Sequence, residues 1–356
     1  MASLPAGVSF LICTYNGVER IPETLACLAQ QKGAAAIKWE VILVDNASTD
    51  GTTSAAQAYW EKLGAPAPLR TFKEPRPGKN FAVEVAFSQT SYCYACIVDD
   101  DNRLAPDYLQ IGYELLKSNP KIGILGGQNT GAFEVPPPDW FPAYQTLYAV
   151  GPQLRPYQSI PLPDGLVEEA VLWGAGMFVR TEVWHKLCQG EFKSLFQGRQ
   201  GTKNLTAGED DELCYAARLL GYEVWYSSKL TLQHYMTAGR LTEAYRDRLF
   251  YGTVWSQARL KVYRDVLGGP AGKQSGSAAN LTKDILYMSR TVAQRLLSRG
   301  YARALLNGDN KHLMSCHHQL LTLYDFIRNF RQIQDYYKTV EAFKQRVSNY
   351  RAEQVA

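Results

Sequence analysis

The chain has 356 residues, a net charge of +4, 46% apolar residues and 20% charged residues. A chain of this size and composition can bury one large core or two medium ones, which excludes a disordered protein. Its longest apolar stretches end well before the roughly 18 residues that a membrane-spanning helix needs, so we expect no membrane span.

The N-terminal stretch MASLPAGVSFLICTYNG has no basic flank and no small-residue cleavage site, so we expect a cytoplasmic protein. Seven cysteines stand at irregular positions, and the only close pair, Cys93 and Cys96, lies in the apolar segment SYCYACIV. A strand would turn these two to opposite faces. We therefore interpret them as buried thiols and not as a metal or redox pair.

The first 130 residues alternate between strand-like and helix-like periods. Single helices between strands indicate a parallel, doubly wound α/β sheet. The predicted strands are VSFLICT, WEVILVD, LRTF and CYACIVD, and the predicted helices lie at residues 21–28, at SAAQAYWEKLG and at NFAVEVAFSQ.

Polar clusters follow three of these strands. They are CTYNG at 13–17, VDNASTDGT at 44–52 and DDDN at 99–102. In doubly wound sheets, ligands bind beyond the carboxyl ends of the strands. The three clusters therefore predict a binding site at one edge of the sheet.

Residues 133–165 hold 8 of the 17 prolines. Proline removes backbone donors and resists the interior of helices and sheets, so the segment predicts a long ordered loop. Its aromatic side chains could form a wall for an acceptor, or they could only fasten the loop to the domain. They are Trp140, Phe141, Tyr144 and Tyr148.

Beyond this loop we predict a strand at VLWGAGMFVR, a helix around EVWHKLC, a helix from about Asp211 to Gly221, and a further strand before LQHYMTAGR. Residues 268–280 are typical of a Gly/Ser-rich linker, and helical spacing resumes at 281. From Arg240 onwards there are 19 Lys and Arg against 9 Asp and Glu, but 19 against 25 before it. This asymmetry suggests an acidic part that holds the chemistry and a basic part with another role.

Three consecutive carboxylates, Asp99, Asp100 and Asp101, end the apolar run ACIV; we call them the aspartate triplet. A single aspartate at a strand end commonly caps a helix or closes a turn. Three adjacent carboxylates repel each other and are tolerable mainly where a cation neutralises them. Carboxylate oxygens suit Mg²⁺ and Mn²⁺, which in turn suit diphosphates. The triplet therefore predicts a site for a metal-bound nucleotide.

Taken together, these motifs resemble the inverting glycosyltransferases of family 2, which have the GT-A fold. The resemblance covers roughly residues 7–255 and includes, in order, FLICTYNG, VILVDNASTDGT, IVDDDNRLAPDYL, WGAGMFVR and AGEDDEL. It implies an α/β fold, a GT-A-like doubly wound and mostly parallel sheet with a C-terminal helical extension. The domains would be a catalytic one over residues 1–255 and a basic helical region over 256–356.

The activity that this resemblance implies is sugar transfer with inversion, as in bacterial polysaccharide biosynthesis. The donor would be a nucleoside diphosphate sugar, for which we expect a UDP-sugar. The acceptor would be a hydroxyl of a saccharide or of a lipid-linked molecule. Such a transfer needs a group that removes the acceptor proton, which a carboxylate can do.

The resemblance also implies roles for single residues. Asp210 would be the general base, and Asp101 with His234 would hold a divalent cation, Mn²⁺ or Mg²⁺. Trp173, Gly174, Glu209 and Glu212 would lie on the acceptor side. The nucleotide sugar would contact Thr14, Tyr15, Asn16, Asp45 and Asp99. Lys79 could approach its phosphates as a point charge, and Asp100 would either contact it or point elsewhere, because the middle position of the family's D-x-D element varies.

Simpler interpretations stand beside these roles. Asp45 could only form a turn, and residues 14–16 could be an ordinary polar turn. Lys79 could be a solvated loop residue, and His234 a hydrogen-bonded core residue. The four acids from Glu209 to Glu212 could merely complement a helix dipole.

Three rival functions differ in their sequence marks. A sugar nucleotidyltransferase would need a glycine-rich phosphate loop after the first strand, and a dinucleotide oxidoreductase would need G-x-G-x-x-G there; CTYNGVER provides neither. A non-catalytic carbohydrate-binding protein on a GT-A scaffold would be marked by a missing carboxylate. All the expected carboxylates, Asp45, Asp99, Asp101 and Asp210, are present.

The basic C-terminal region has two interpretations. Arginines accompany an apolar stripe, so a helix could rest on an anionic membrane face. Alternatively, the helices form a bundle that packs on the catalytic domain or on a second copy in a homo-oligomer. No nucleic-acid-binding motif accompanies the charge, so we expect no nucleic acid partner. The arginines are Arg290, Arg295, Arg299 and Arg303.

Overall fold

The computed structural model describes residues 4–155, 160–196, 207–268 and 280–355, with side chains as far as residue 350. The interpretation of residues 268–280 as a linker lies almost wholly outside the described residues. Within the described part, no helix is long and apolar enough to cross a membrane.

The first half of the chain alternates between strands and helices, as predicted. Each of the first three strands is followed by one helix, which returns the chain to the next parallel strand. The elements are β1 (Val8–Thr14), α1 (Ile21–Ala29), β2 (Trp39–Asp45), α2 (Thr52–Lys62), β3 (Leu69–Lys73), α3 (Lys79–Ser88) and β4 (Tyr94–Asp99).

The middle of the chain completes the sheet. The elements are β5 (Asn102–Leu104), α4 (Tyr108–Ser118), β6 (Ile122–Phe133), β7 (Gly165–Leu166), β8 (Phe178–Arg180), α5 (Thr181–Gln189), α6 (Glu209–Leu219) and β9 (Glu223–Met236). The strand predicted at VLWGAGMFVR is wrong over most of its length, because only its last three residues form β8. Gly176 has φ +73°, a left-handed conformation that interrupts an extended chain.

The described strands form one sheet of nine, in the order β3-β2-β1-β4-β8-β6-β9-β5, with β7 beside β9. Parallel pairs are formed by β3 with β2, β2 with β1, β1 with β4, and β6 with β9. β8 runs antiparallel between β4 and β6, and β5 runs antiparallel to β9. The mostly parallel, GT-A-like α/β sheet expected from the sequence is confirmed.

Side chains of the central strands point alternately to the two faces of the sheet. Phe10 and Ile12 pack with α1, α2 and α4, whereas Leu11 packs with α3 and α6 on the opposite face. Because both faces are covered by helices, these strands have nearly continuous apolar sequences. Cys96 is buried in β4, whereas Cys93, just before β4, is partly exposed, and neither forms a disulfide. The interpretation as a buried thiol is confirmed for Cys96 and wrong for Cys93.

The C-terminal part is helical. Its elements are α7 (Glu243–Gly252), α8 (Val254–Leu267), α9 (Leu281–Leu296), α10 (Arg299–Asn307), α11 (Asn310–Arg328) and α12 (Phe330–Val355). Tyr263 of α8 stacks on Tyr215 of α6, with ring centroids 6.0 Å apart. One buried cluster contains residues on both sides of the domain boundary expected at 255, and the division into two domains stays a prediction.

Candidate active site

The carboxyl ends of β1, β2 and β4 lie side by side at one edge of the sheet. Thr14 is opposite Asp45 in the pairing of β1 with β2, and Cys13 is opposite Asp99 in the pairing of β1 with β4. The parallel registers therefore bring the three polar clusters of the sequence together at the same level.

Asn16 links the turn after β1 to the turn after β2. Its side-chain Oδ1 accepts from Thr49 N at 2.8 Å, and its backbone N donates to Ser48 Oγ at 2.9 Å. Asn16 has φ +47°, a left-handed conformation that asparagine tolerates better than most residues. The adjacent Tyr15 is 52% exposed, so its ring is accessible to a ligand.

Asp45 is hydrogen-bonded within its own turn. Its Oδ1 accepts from Ser48 N at 2.8 Å and its Oδ2 from Thr53 Oγ1 at 2.7 Å. Burial raises the pKa of Asp45, but the bonds from Ser48 and Thr53 prevail and lower it. These contacts are those of a turn-forming aspartate, and because each oxygen keeps a further lone pair, a role in binding the base stays a prediction.

The first aspartate of the triplet pairs with a lysine. Lys79 Nζ lies 2.5 Å from Asp99 Oδ1, and both side chains are about one third exposed. Lys79 is the first residue of α3. This pair is accessible to a bound nucleotide.

The second aspartate of the triplet is committed to the protein itself. Asp100 accepts two hydrogen bonds from Arg20, at 2.9 and 2.8 Å, and one from Thr14 Oγ1 at 2.5 Å. Burial raises its pKa, against the effect of Arg20. The structure therefore places Asp100 and Thr14 in a buried cluster that fixes the turn after β1, and direct contact of either with a nucleotide sugar stays a prediction.

The third aspartate lies beside His234. The antiparallel pairing of β5 with β9 puts Asn102 opposite His234, and Tyr235 N donates to Asp101 O at 2.9 Å. As a result, Asp101 Oδ1 and His234 Nε2 are 3.4 Å apart. The sheet register thus joins two residues that are far apart in the sequence.

Arg240 completes this group. Its Nη1 lies 2.9 Å from Asp101 Oδ2 and 3.2 Å from His234 Nε2. Burial works against ionisation of Asp101, but the positive charge beside it, including that of Arg240, holds its pKa well below the ordinary value. A carboxylate and an imidazole are ligands that suit Mn²⁺, so the two residues fit a cation that a diphosphate also binds. Within the described residues no group of three or more acidic, His or Cys residues could hold an ion alone.

Asp210 stands at the start of α6 and is held from outside the helix. Its Oδ2 accepts from Gly174 N at 2.9 Å. A Cβ atom at position 174 would lie 2.2 Å from Asp210 Oδ1, which no real structure allows. Gly174 therefore makes room for the carboxylate and also orients it.

The segment that holds Asp210 runs along the end of β4. Gly176 N donates to Ile97 O at 2.9 Å, and Ile97 N donates to Met177 O at 2.8 Å. Ile97 is two residues before the aspartate triplet. A short chain of backbone hydrogen bonds thus connects the candidate base to the strand that carries the candidate nucleotide site.

Residues 9–184, slightly less than half of the chain, match the model of a family described as glycosyl transferase family 2. The matched part is a glycosyltransferase domain. This confirms the class of enzyme expected from the sequence. The match includes Asp45, the aspartate triplet and Gly174, and it ends before Asp210 and His234. No curated protein matches the chain.

Solved structures resemble the chain at low sequence identity. The mannosyltransferase PcManGT from Pyrobaculum calidifontis, in complex with GDP-Man and Mn²⁺, is 18% identical, with a TM-score of 0.54 over 92% of this chain and 88% of that chain. TarS 1-349 of S. aureus in complex with UDP is 15% identical, with a TM-score of 0.46 over 98% and 92%. The likeness to the mannosyltransferase shows the fold.

Two further acceptor-side candidates lie beside Gly174 and Asp210. Trp173 N donates to Gln153 Oε1 at 3.1 Å, which ties the glycine segment of the glycosyltransferase domain to the proline-rich loop. Glu209 is half-buried in the first turn of α6 with Asp210. Their contact with an acceptor stays a prediction.

Glu212, the remaining acceptor-side candidate, is buried and bonded to the protein. Its Oε1 accepts from Leu195 N and from Tyr263 Oη, each at 2.7 Å, and its Oε2 accepts from Ser194 Oγ. Burial raises its pKa from 4.5 to about 7, although these bonds favour the ionised form. Glu212 therefore joins α6 to α8 and to the chain around Ser194, which fits a supporting role.

Glu212 should make stability depend on pH. Between pH 4.5 and 7 the folded protein holds a proton on Glu212 that the unfolded chain has released, so the free energy of unfolding should fall as the pH rises. Glu212→Gln is expected to remove this part of the decrease, on the order of 3 kcal/mol between pH 4.5 and 7, because the amide keeps the hydrogen bonds of the neutral acid. Guanidinium unfolding at a series of pH values measures it.

Part of the slope should remain in this variant. Burial and the charge of Asp210 raise the pKa of Asp211 to about 7, so Asp211 also makes the free energy of unfolding fall as the pH rises. Glu341→Gln, at an exposed position of α12, is the matched control and should leave the slope unchanged. A wild-type slope in Glu212→Gln would mean that Glu212 is ionised in the folded protein.

The aromatic residues of the proline-rich loop are mostly buried. Phe141, Tyr144 and Tyr148 form a cluster with Met236 of β9 and with helical residues of the C-terminal part. The guanidinium of Arg246 lies 5.0 Å from the ring centroid of Trp140. These contacts are those of residues that fasten the loop to the rest of the glycosyltransferase.

The sequence interpretation missed two arginines of the site. Arg20 lies in CTYNGVER and Arg240 in LQHYMTAGR, and neither was named as a candidate. They contact Asp100 and Asp101 across separations of 80 and 139 residues. The only available signal was the need for positive charge near three carboxylates, and this does not identify the residues that supply it.

Proposed function

We propose that this protein is an inverting glycosyltransferase that moves a sugar from a nucleoside diphosphate sugar to a hydroxyl group, with Asp210 as general base. The observation that carries the proposal is the fixed position of Asp210. Its carboxylate is bonded to Gly174 N, in a segment bonded in turn to the end of β4 before the aspartate triplet. A candidate base and a candidate nucleotide site are thereby held in one rigid frame.

The proposed chemistry is a single displacement. Asp210 takes the proton of the acceptor hydroxyl as its oxygen forms a bond to the anomeric carbon, and the bond to the diphosphate breaks in the same step. Attack from the side opposite the leaving group inverts the configuration at that carbon. Gly174 N keeps one carboxylate oxygen in place, so Asp210 need not reorganise during the reaction.

Asp101 and His234 are the proposed ligands of a divalent cation. When bound, such an ion would neutralise charge on the departing diphosphate. The mannosyltransferase of similar fold was solved with GDP-Man and Mn²⁺, a ligand pair of the kind proposed here. For this chain we propose a UDP-sugar as donor, contacted by Tyr15, Asn16 and Asp45 at the ends of β1 and β2.

The C-terminal helices expose apolar and basic side chains that support a role in acceptor access. Leu297 after α9 and Leu306 in α10 are each 86% exposed, and Arg299 and Arg303 are exposed in α10. Such a surface fits an anionic membrane that carries a lipid-linked acceptor, and a second copy of the chain is the alternative. Both partners, the cytoplasmic location and the place in polysaccharide biosynthesis stay predictions.

Calorimetric titration with UDP tests the proposal. We expect UDP to bind in the presence of Mn²⁺ or Mg²⁺ and to lose at least about tenfold in affinity in EDTA. In Asp101→Asn the affinity should no longer depend on the ion, because a carboxylate ligand has been removed. GDP, titrated in parallel, should bind more weakly than UDP.

Asp107→Asn is the matched control, since it changes a neighbouring aspartate that immediately precedes α4. It should bind UDP as the wild type does, with the same dependence on the ion. Tight UDP binding that ignores both the ion and Asp101→Asn would argue against the metal ligands proposed here. Absence of UDP and GDP binding would argue against a nucleotide-sugar donor altogether.

A further inference from the structure

Arg240 takes the position that a divalent cation would need between Asp101 and His234. Its Nη1 atom lies within hydrogen-bonding distance of both Asp101 Oδ2 and His234 Nε2. A guanidinium group has donors only, so both atoms accept from it. The two atoms expected to bind the ion are therefore already satisfied by one positive side chain.

His234 is set in the form that can serve either partner. Its Nδ1 lies 2.8 Å from Tyr148 O, and a carbonyl oxygen can only accept, so Nδ1 carries a proton, and in the neutral imidazole Nε2 carries none. Nε2 then presents its lone pair to Arg240 or to a metal ion. The ligand atoms are thus arranged before an ion binds, and binding would only replace the Arg240 guanidinium by the ion.

The guanidinium of Arg240 can leave this position while its backbone stays in place. Arg240 lies in a short 3-10 helix, Ala238–Leu241, directly after β9. Ala238 N donates to Glu134 Oε2 at 2.6 Å, which anchors this turn. The side chain of Arg240 is 29% exposed, so it borders solvent as well as Asp101.

We infer that Arg240 is a built-in competitor of the divalent cation. The ion and the guanidinium exclude each other at Asp101 and His234, and Arg240 leaves when the ion binds. This inference rests on the metal-dependent function proposed above. It assigns to Arg240 control over when the site accepts an ion.

The competition couples the ion to the nucleotide. Without nucleotide, the ion binds only the fraction of molecules in which Arg240 is away from Asp101, and its apparent affinity is reduced by that fraction. With a diphosphate bound, the released guanidinium gains an anionic partner. Each ligand therefore strengthens the binding of the other.

Titration of Mn²⁺ into the nucleotide-free protein tests this inference, with the paramagnetic resonance signal of free Mn²⁺ as the readout. Arg240→Gln is expected to bind Mn²⁺ at least about tenfold more tightly than the wild type, because the competitor is gone. In the presence of Mn²⁺, the same variant should bind UDP more weakly, because no guanidinium is left for the diphosphate. Arg240→Met should change both affinities in the same way as Arg240→Gln, and it replaces that variant in the experiment if Arg240→Gln does not fold.

Two further variants control the measurement. Arg248→Gln removes the same charge from an exposed position of α7, and we expect wild-type Mn²⁺ affinity. The double variant Arg240→Gln and Asp101→Asn should not show the increased Mn²⁺ affinity of Arg240→Gln, because the ion needs the Asp101 carboxylate as a ligand.

Mn²⁺ affinity that stays equal or falls in both single variants of Arg240 would overturn the inference. If wild-type UDP binding still depended on Mn²⁺ in the same preparation, the proposed function would stand without it. If the wild type bound neither UDP nor GDP, the proposed function would fail, whereas the Mn²⁺ titration would still decide whether Arg240 competes with the ion.

Discussion

Asp210→Asn is expected to slow glycosyl transfer by about 10²- to 10⁴-fold, the usual contribution of a general base. Asparagine has the same shape, and its Oδ1 can still accept from Gly174 N, but it takes up no proton at neutral pH. UDP affinity should therefore remain at the wild-type value. Single-turnover product formation and calorimetric titration of UDP measure the two quantities.

Asp211→Asn is the control that distinguishes a catalytic base from a residue that only complements the helix dipole. Both aspartates lie in the first turn of α6, so either one could complement the dipole. Only the change at Asp210 should slow transfer to the extent expected for loss of a general base. Equal rates in the two variants would show that neither carboxylate takes the proton and would leave the acids of this turn with a structural role.

Gly174→Ala is expected to lower transfer by about 10²-fold or more, although position 174 carries no chemistry of its own. The added methyl carbon would lie 2.2 Å from Asp210 Oδ1 and 2.3 Å from Asp210 Cγ. The carboxylate must then turn away, and the bond from Gly174 N is lost. Transfer kinetics, with UDP affinity as the check on the nucleotide site, measure the effect.

Gly300→Ala is the matched control, because the nearest atom to an added Cβ there is 3.5 Å away. It should transfer as the wild type does. Combining Gly174→Ala with Asp210→Asn should cost little beyond Asp210→Asn alone, since both changes act through one carboxylate. Additive losses would mean that Gly174 acts on the reaction by another route.

The sheet could be predicted because its signals are local. β1, β2 and β4 are buried on both faces and therefore have continuous apolar sequences, and each ends in a polar cluster. The WGAGMFVR motif shows the limit of this reasoning. Its apolar composition suggested a strand throughout, but Gly176 turns the chain, so Gly174 holds Asp210 and only the last three residues extend the sheet.

Of the residues in the candidate site, the carboxylates and His234 could be predicted from the sequence, but most of their partners could not. The sequence named the aspartate triplet, His234 and Asp210, and the fold brings Asp101 to His234 and Asp210 to Gly174. It gave no indication of the hydrogen-bond partners of Asp45 or of the arginines. Those contacts depend on strand register and loop geometry over tens of residues, which no local pattern encodes.

The aspartate triplet has one consequence for how a donor reaches the site. Lys79, Arg20 and Arg240 pair with Asp99, Asp100 and Asp101 in that order, so three negative charges meet three positive ones. Before any ligand binds, the triplet and its three partners together carry no net charge. A triplet neutralised in this way does not repel an anionic donor from a distance, and the rate of donor association should change less with ionic strength than it would with three bare carboxylates. Capture of the donor would then depend on short-range contacts made after diffusional encounter.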